Sequence, residues 1–348
     1  MYNLDYLMKI LANAKDSNAT DLHITAGARP AIRVGGKLRY APFERILPKD
    51  TENLLDELLT EVQKNMLKTN HYHSLPVAFN NIGRLRANIF MQRGSFSISF
   101  KLLDRLLKTP EELRIPNVVM DLSKQKSGLI LICGDRKSST SATRAAIVKK
   151  ISETRACHII TVEDPIEYLF KHEKAIVNQK EIGIDANSFQ EGVYSAMTQD
   201  PDVIMISFSG DPETFSAALA AAENGHLVIT SLHTVGSVKT IRNIIGMFTI
   251  EKRNYIKMQL YNVLQAIVSQ QLIPTKEETD SMPAMEIMLA TTAVKNLIIE
   301  DKIHQIPDVI KVSRALGMVS MEDSINALYA QGLISKESAM SYSWHQNG

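Results

Sequence analysis

Gly134-Asp135-Arg136-Lys137-Ser138-Ser139-Thr140-Ser141 follows an apolar run, Leu129 to Cys133. In a parallel α/β sheet, the loop between a buried strand and a helix is where phosphate chemistry is expected, because the helix N-terminus presents unpaired N–H groups. The phosphate-loop pattern is G-x-x-x-x-G-K-[ST]: glycines for close backbone approach, a lysine for the phosphates and a hydroxyl for Mg²⁺. Gly134 and Ser141 fit it. Ser139 and Thr140 stand where the second glycine and the lysine belong. The stretch alone therefore does not establish a nucleotide site. Three further stretches surround it: Glu163-Asp164-Pro165-Ile166-Glu167, Asp200-Pro201-Asp202, and Glu223 to Thr234 with His226 and His233. These are residue types that handle phosphate, metal and water.

The elements that must position these residues alternate along the chain. Continuous apolar strands are expected at 129–133, 158–162, 203–206 and 227–229, with a helix over 141–153. Such strands separated by helices imply a parallel sheet covered on both faces. The last hundred residues read as helices at 251–271, 291–301, 305–315, 320–331 and 335–343. The first hundred read as a smaller α/β unit. It has a helix from Leu4 to Leu11, strands at 21–25, 31–34, 84–92 and 95–101, and a charged helix from Lys49 to Asn70. Pro110 and Pro116 mark a boundary. The expected division is 1–103, a linker over 104–116, and 117–348.

The composition narrows the function classes. The chain has 348 residues, with 39 basic and 38 acidic side chains. This balance argues against nucleic acid as the main partner, since such binders carry a basic excess, but leaves room for a small phosphate pocket. Cys133 and Cys157 lack CxxC spacing and read as small hydrophobes, not as a disulfide framework or zinc site. No signal peptide and no apolar run of membrane-spanning length is visible. A cytoplasmic chain is expected, peripheral at most to the inner face of the membrane.

The ordered motifs together resemble the pilus-retraction ATPase (PilT) family of type II/IV secretion ATPases. Besides the stretches above, the resemblance rests on Ala19-Thr20-Asp21-Leu22-His23-Ile24-Thr25, Gly83-Arg84-Leu85-Arg86-Ala87-Asn88 and Ser269-Gln270-Gln271-Leu272-Ile273-Pro274. It implies an α/β fold with a PAS-like N-terminal domain, a RecA-like P-loop ATPase core and a helical C-terminal part. It also implies ATP and Mg²⁺ as ligands and six-membered rings at the base of a type IV pilus, where hydrolysis drives retraction and twitching motility. By the same resemblance, Glu163 matches a general base and His233 a nucleotide-state sensor. Arg84, Arg86 and Arg93 match arginines that lean toward the nucleotide. Gly134, Lys137, Ser139, Thr140 and Ser141 fall in the phosphate loop, Ser141 at the Mg²⁺ hydroxyl.

The departures cluster. Where the family loop reads G-P-T-G-S-G-K-S-T-T, Lys137 and Ser139 replace glycines and Thr140 replaces the lysine. Where a strand ends in G-E-M-R-D, this chain has Ser207-Phe208-Ser209-Gly210-Asp211, so Phe208 replaces the glutamate. Tyr194 and Thr198 stand at two family arginines, and Lys295 and Ile299 at two more. A plainer reading of 134–141 is a strand-to-helix turn capped by Ser139 or Thr140. Glu163 and Asp164 could equally hold only the local turn, His226 packs beside its strand, and Phe208 packs where metal and water would sit. The leading expectation is a PilT-like ring subunit with little or no ATPase activity, partnering an intact retraction ATPase in a homo- or hetero-hexamer, or the pilus platform. The alternative is a divergent active ATPase that uses Lys137 or Arg136 as the phosphate cation and Glu163 as base.

Overall fold

Two hydrogen-bonded sheets organise the computed structural model, one in each of two units, Met1–Leu106 and Leu107–Gly348. The structure describes residues 3–103, 107–135, 137–277 and 280–344. The first unit begins with α1 (Leu4–Asp16), whose N-terminus is capped by the Asn3 side chain accepting from the Tyr6 N–H. Its Leu7, Ile10, Leu11 and Ala14 recur at helical spacing and are buried, as an amphipathic helix requires. There follow β1 (Asp21–Thr25), β2 (Ala31–Val34), β3 (Lys37–Tyr40), α2 (Pro48–Leu58), α3 (Glu61–Asn70), β4 (Tyr72–Phe79), β5 (Gly83–Gln92) and β6 (Ser95–Leu102). The sheet is antiparallel with order β3-β2-β1-β6-β5-β4. Alternate residues Leu22, Ile24, Leu85, Ala87, Ile89, Ile98 and Phe100 share one core with α1 and α2.

The single helix expected over 49–70 is two helices. Leu59 is extended, and Thr60 opens α3 with a capping box to Gln63. The signal T-x-x-Q was present, but the apolar stripe running through it masked the break.

The second unit contains α4 (Asn117–Asp121), β7 (Gly128–Gly134), α5 (Thr140–Thr154), β8 (His158–Glu163), β9 (Ile176–Glu181), α6 (Phe189–Met197), β10 (Val203–Ile206), α7 (Pro212–Glu223), β11 (Leu227–Thr230), α8 (Ser237–Gly246), α9 (Ile250–Val263), β12 (Leu264–Pro274), β13 (Ser281–Leu289), α10 (Thr292–Ile299), α11 (Ile306–Val312), α12 (Met321–Ala330) and α13 (Lys336–Trp344). Residues 107–116 count with this unit, and Ile115 is buried in it. The seven-stranded sheet has order β13-β12-β7-β11-β10-β8-β9. It is parallel from β12 to β9, with β13 antiparallel at one edge. Leu129, Leu131 and Cys133 of β7 face the core shared with α6 to α9, while Ile130 and Ile132 face the core shared with α4 and α5. Cys133 is fully enclosed, and burial pushes its thiol up to about 11. Among the described residues, no helix is long and apolar enough to cross a membrane.

The helix expected over 251–271 is overturned: it stops at Val263, and 264–274 is a strand between β7 and β13. Leu260, Val263, Leu264, Ile267 and Val268 fit a helical period. The sheet nevertheless wins because two open neighbouring edges satisfy the backbone and both faces are buried. β3, β4, β9 and β13 also went unread from sequence.

Phe215 of α7 is fully buried in the larger core. Phe215→Ala lowers stability by about 3–5 kcal/mol, the usual cost of emptying an aromatic site, checked by the urea-unfolding midpoint.

Candidate functional site

The strands β8, β10, β11 and β7 lie side by side and parallel, so their carboxyl ends open on one edge. Loops at such an edge form ligand crevices in open α/β sheets. Here they enclose a cavity of about 200 Å³, lined by Ser139, Thr140 and Ser141 from the first loop, Glu163 and Glu167 from the second, and Phe208 and His233 from the others.

The first loop is clamped from β12. Gln270 Nε2 donates to the Ser138 carbonyl at 2.6 Å, and Thr143 Oγ1 donates to Gln270 Oε1 at 2.6 Å. A Cβ on Gly134 would lie 2.5 Å from the Gln270 carbonyl oxygen, so glycine is required. The Asp135 carboxylate folds onto its own loop, accepting from the Lys137 N–H at 2.9 Å and the Ser138 hydroxyl at 2.6 Å. Ser139 occupies the N-cap position of α5, but with left-handed backbone at φ 53° and no side-chain cap bond. The turn capped by Ser139 is therefore corrected. A capping side chain needs extended backbone to reach the next N–H groups, which the left-handed conformation denies. Lys137 is exposed and lines a neighbouring cavity with Lys239 and Tyr342. Arg136 lies outside the described residues.

The second loop begins at Glu163, the buried last residue of β8. It accepts from Thr161 Oγ1 at 2.6 Å and from Gln179 Nε2 at 3.0 Å. Burial pushes its carboxyl pKa up, opposed by these hydrogen bonds and by Arg144. The Ser141 hydroxyl donates to Glu167 Oε2 at 2.9 Å. After β10, the Phe208 ring stacks on His233 with centroids 4.5 Å apart and planes 26° from parallel. The ring also lies over Gly210, where a Cβ would come 2.0 Å from its Cζ. His226 Nδ1 is paired with the Pro201 carbonyl at 2.7 Å, beside its strand.

Residues 73–333 match the model of the "Type II/IV secretion system protein" family. The chain belongs to that family, among its PilT-like members. It is 35% identical to the type IV pilus retraction ATPase PilT of Pseudomonas aeruginosa over 96% of each chain. It is 34% identical to a twitching motility protein of Neisseria gonorrhoeae, covering 89% of this chain and 83% of that one. A crystal structure of the pilus retraction motor PilT with bound ADP superposes with a TM-score of 0.88 at 37% identity, over 96% of each chain.

In this PilT-like chain, the cavity gathers Ser139, Thr140, Ser141, Glu163, Phe208 and His233 from the sequence-derived set. Tyr194 is exposed on α6, and Thr198 caps that helix by donating to the Ser195 carbonyl at 2.8 Å. Neither lines the cavity. Arg84, Arg86 and Arg93 belong to the first unit. There Arg86 Nε donates to Ser74 Oγ at 2.8 Å, and Arg93 has left-handed backbone in the β5–β6 turn.

Sequence reasoning missed Arg144. It sits one helical turn after Thr140, is only 6% exposed and lines the cavity. Its Nε and Nη1 are buried without a hydrogen-bond partner. Burial pushes its pKa down, and Glu167 and then Glu163 hold it up. The available signal was an arginine at i+4 from the lysine position, on the same helix face.

Two predictions follow from this geometry. Ser139→Gly relieves the left-handed serine and raises stability by about 1 kcal/mol, read from urea midpoints. Glu163, with its folded pKa above the ordinary 4.5, holds its proton more tightly in the native chain than in the unfolded one. Its contribution to stability therefore falls as pH rises from that value through the raised one. Glu163→Gln removes this slope, so stability profiles of the two proteins diverge across mildly acidic pH; parallel profiles would refute the assignment.

Proposed function

We propose that the chain is a PilT-like subunit of the type IV pilus retraction machinery with little or no ATPase activity of its own. It serves as a structural or regulatory ring partner of an intact retraction ATPase or of the pilus platform. The observation that carries this reading is the Phe208 ring stacked on His233 at the end of β10, where the family resemblance places a glutamate.

The rest of the lining supports it, because these residues do not fit a triphosphate with its Mg²⁺. Thr140 has no charge to offer the phosphates. The Lys137 N–H, a donor of the first loop, already serves the Asp135 carboxylate, whose charge repels phosphate. Phe208 neither coordinates metal nor orients water. A positioned acid or base contributes roughly 10²–10⁴ in rate, and an arginine finger roughly 10³–10⁵. Losing one of each brings turnover near background. The strands and the Gln270 clamp, which hold the fold, are intact. ADP in the solved PilT structure leaves diphosphate binding without hydrolysis as a compatible state.

The test is ATP turnover by the purified full chain, together with copurification from its own cell. The expected result is turnover at background and recovery of a complete PilT-like ATPase in the same ring. Turnover abolished by Glu163→Gln overturns the reading in favour of an active divergent ATPase. A strictly monomeric chain that captures no pilus component overturns the ring assignment.

A further inference from the structure

Among the described residues, Arg144 is the guanidinium of a cavity otherwise rich in acid. Four carboxylates line it: Asp135 from the first loop, and Glu163, Asp164 and Glu167 from the second. His233 faces in from the loop after β11. Helical side chains lean toward the helix N-terminus. Arg144, one turn beyond Thr140, therefore reaches back toward the loop where a phosphate-loop lysine would begin.

A buried charge is strongly disfavoured unless opposite charge holds it. Nε and Nη1 make no hydrogen bond and are sealed from solvent. These two nitrogens are not exposed donors awaiting an incoming anion, so at them the guanidinium gives this site its charge. Asp135 and Asp164 are exposed to water, so the buried Glu163 and the half-buried Glu167 are the carboxylates that need that charge. Glu163 is buried, and Glu167 is engaged with Ser141 at the start of the same helix.

We infer that Arg144 is a resident counter-ion: its guanidinium supplies to Glu163 and Glu167 part of the positive charge that a divalent cation supplies in an intact site of this family, with no metal. This rests on the reading of the chain as a site that does not take Mg·ATP, and it adds the reason the cluster persists there. A divalent cation entering the cavity meets a fixed positive charge that cannot be deprotonated at neutral pH. Restoring lysine at Thr140 and glutamate at Phe208 leaves that obstacle in place.

The test is thermal unfolding of the full chain with and without millimolar MnCl₂ or MgCl₂, no nucleotide present. The native protein's melting temperature does not respond to either metal. Arg144→Met strands the carboxylates and lowers the melting temperature by roughly 5–10 °C, and millimolar Mn²⁺ returns roughly 2–4 °C of it. Arg144→Lys keeps the charge and remains near native and unresponsive to metal. Should Arg144→Met fail to fold, its combination with Glu163→Gln and Glu167→Gln restores folding, because no carboxylate shielded from water is then left without its counter-charge. A native chain stabilised by metal alone overturns the inference. So does an Arg144→Met chain that ignores metal, or a combined variant no better folded than the single one. These readouts involve no ATP, so they stand apart from turnover by the native chain, which would overturn the non-hydrolysing reading instead.

Discussion

The buried amide of Gln270 fixes the geometry on which the site depends. It reaches from β12 to accept from Thr143 on α5 and to donate to the Ser138 carbonyl. One side chain thereby joins the central sheet, the first loop and the helix that follows it. Both bonds are enclosed, and a buried amide left unpaired costs about 1–3 kcal/mol, so the three elements hold one another in register. Gly134 completes the clamp by leaving the Gln270 carbonyl the room it needs. The loop keeps a defined path with Lys137, Ser139 and Thr140 where the family resemblance places two glycines and a lysine.

That separation of framework from chemistry runs through the second unit. Backbone pairing along β12-β7-β11-β10-β8 is continuous, and β7, β10 and β11 are buried throughout. The changes fall on the groups at the carboxyl ends of those strands, where phosphate, metal or water would be touched. The cavity answers them from within. Asp135 occupies donors of its own loop, Ser141 binds Glu167, and Phe208 covers His233. Polar groups of these loops are thus paired within the chain.

Much of this was legible in the sequence, for physical reasons that differ by element. The strands β7, β8, β10 and β11 announce themselves because a strand buried on both faces must be apolar at every position. The loops that follow them were located by motif, and Ser139, Thr140, Glu163, Phe208 and His233 line one cavity. β12 was hidden because its apolar residues also satisfy a helical period, and only the open edges of β7 and β13 decide between the two. β3, with every residue exposed, gave no apolar pattern to read. Arg144 was hidden for another reason: motif comparison ends at the hydroxyls of the phosphate loop, and the i+4 spacing from Thr140 gives its helix face but not its enclosure.

The Phe208 ring lying over Gly210 has a consequence for what position 210 can carry. The ring occupies the space in which any side chain at Gly210 would begin, and the family resemblance places an arginine at that position. Any side chain at 210 drives its Cβ into the ring, so the ring must swing aside to admit it. The two positions therefore answer to one another: a displaced ring uncovers His233, and a change at 210 is felt on the imidazole.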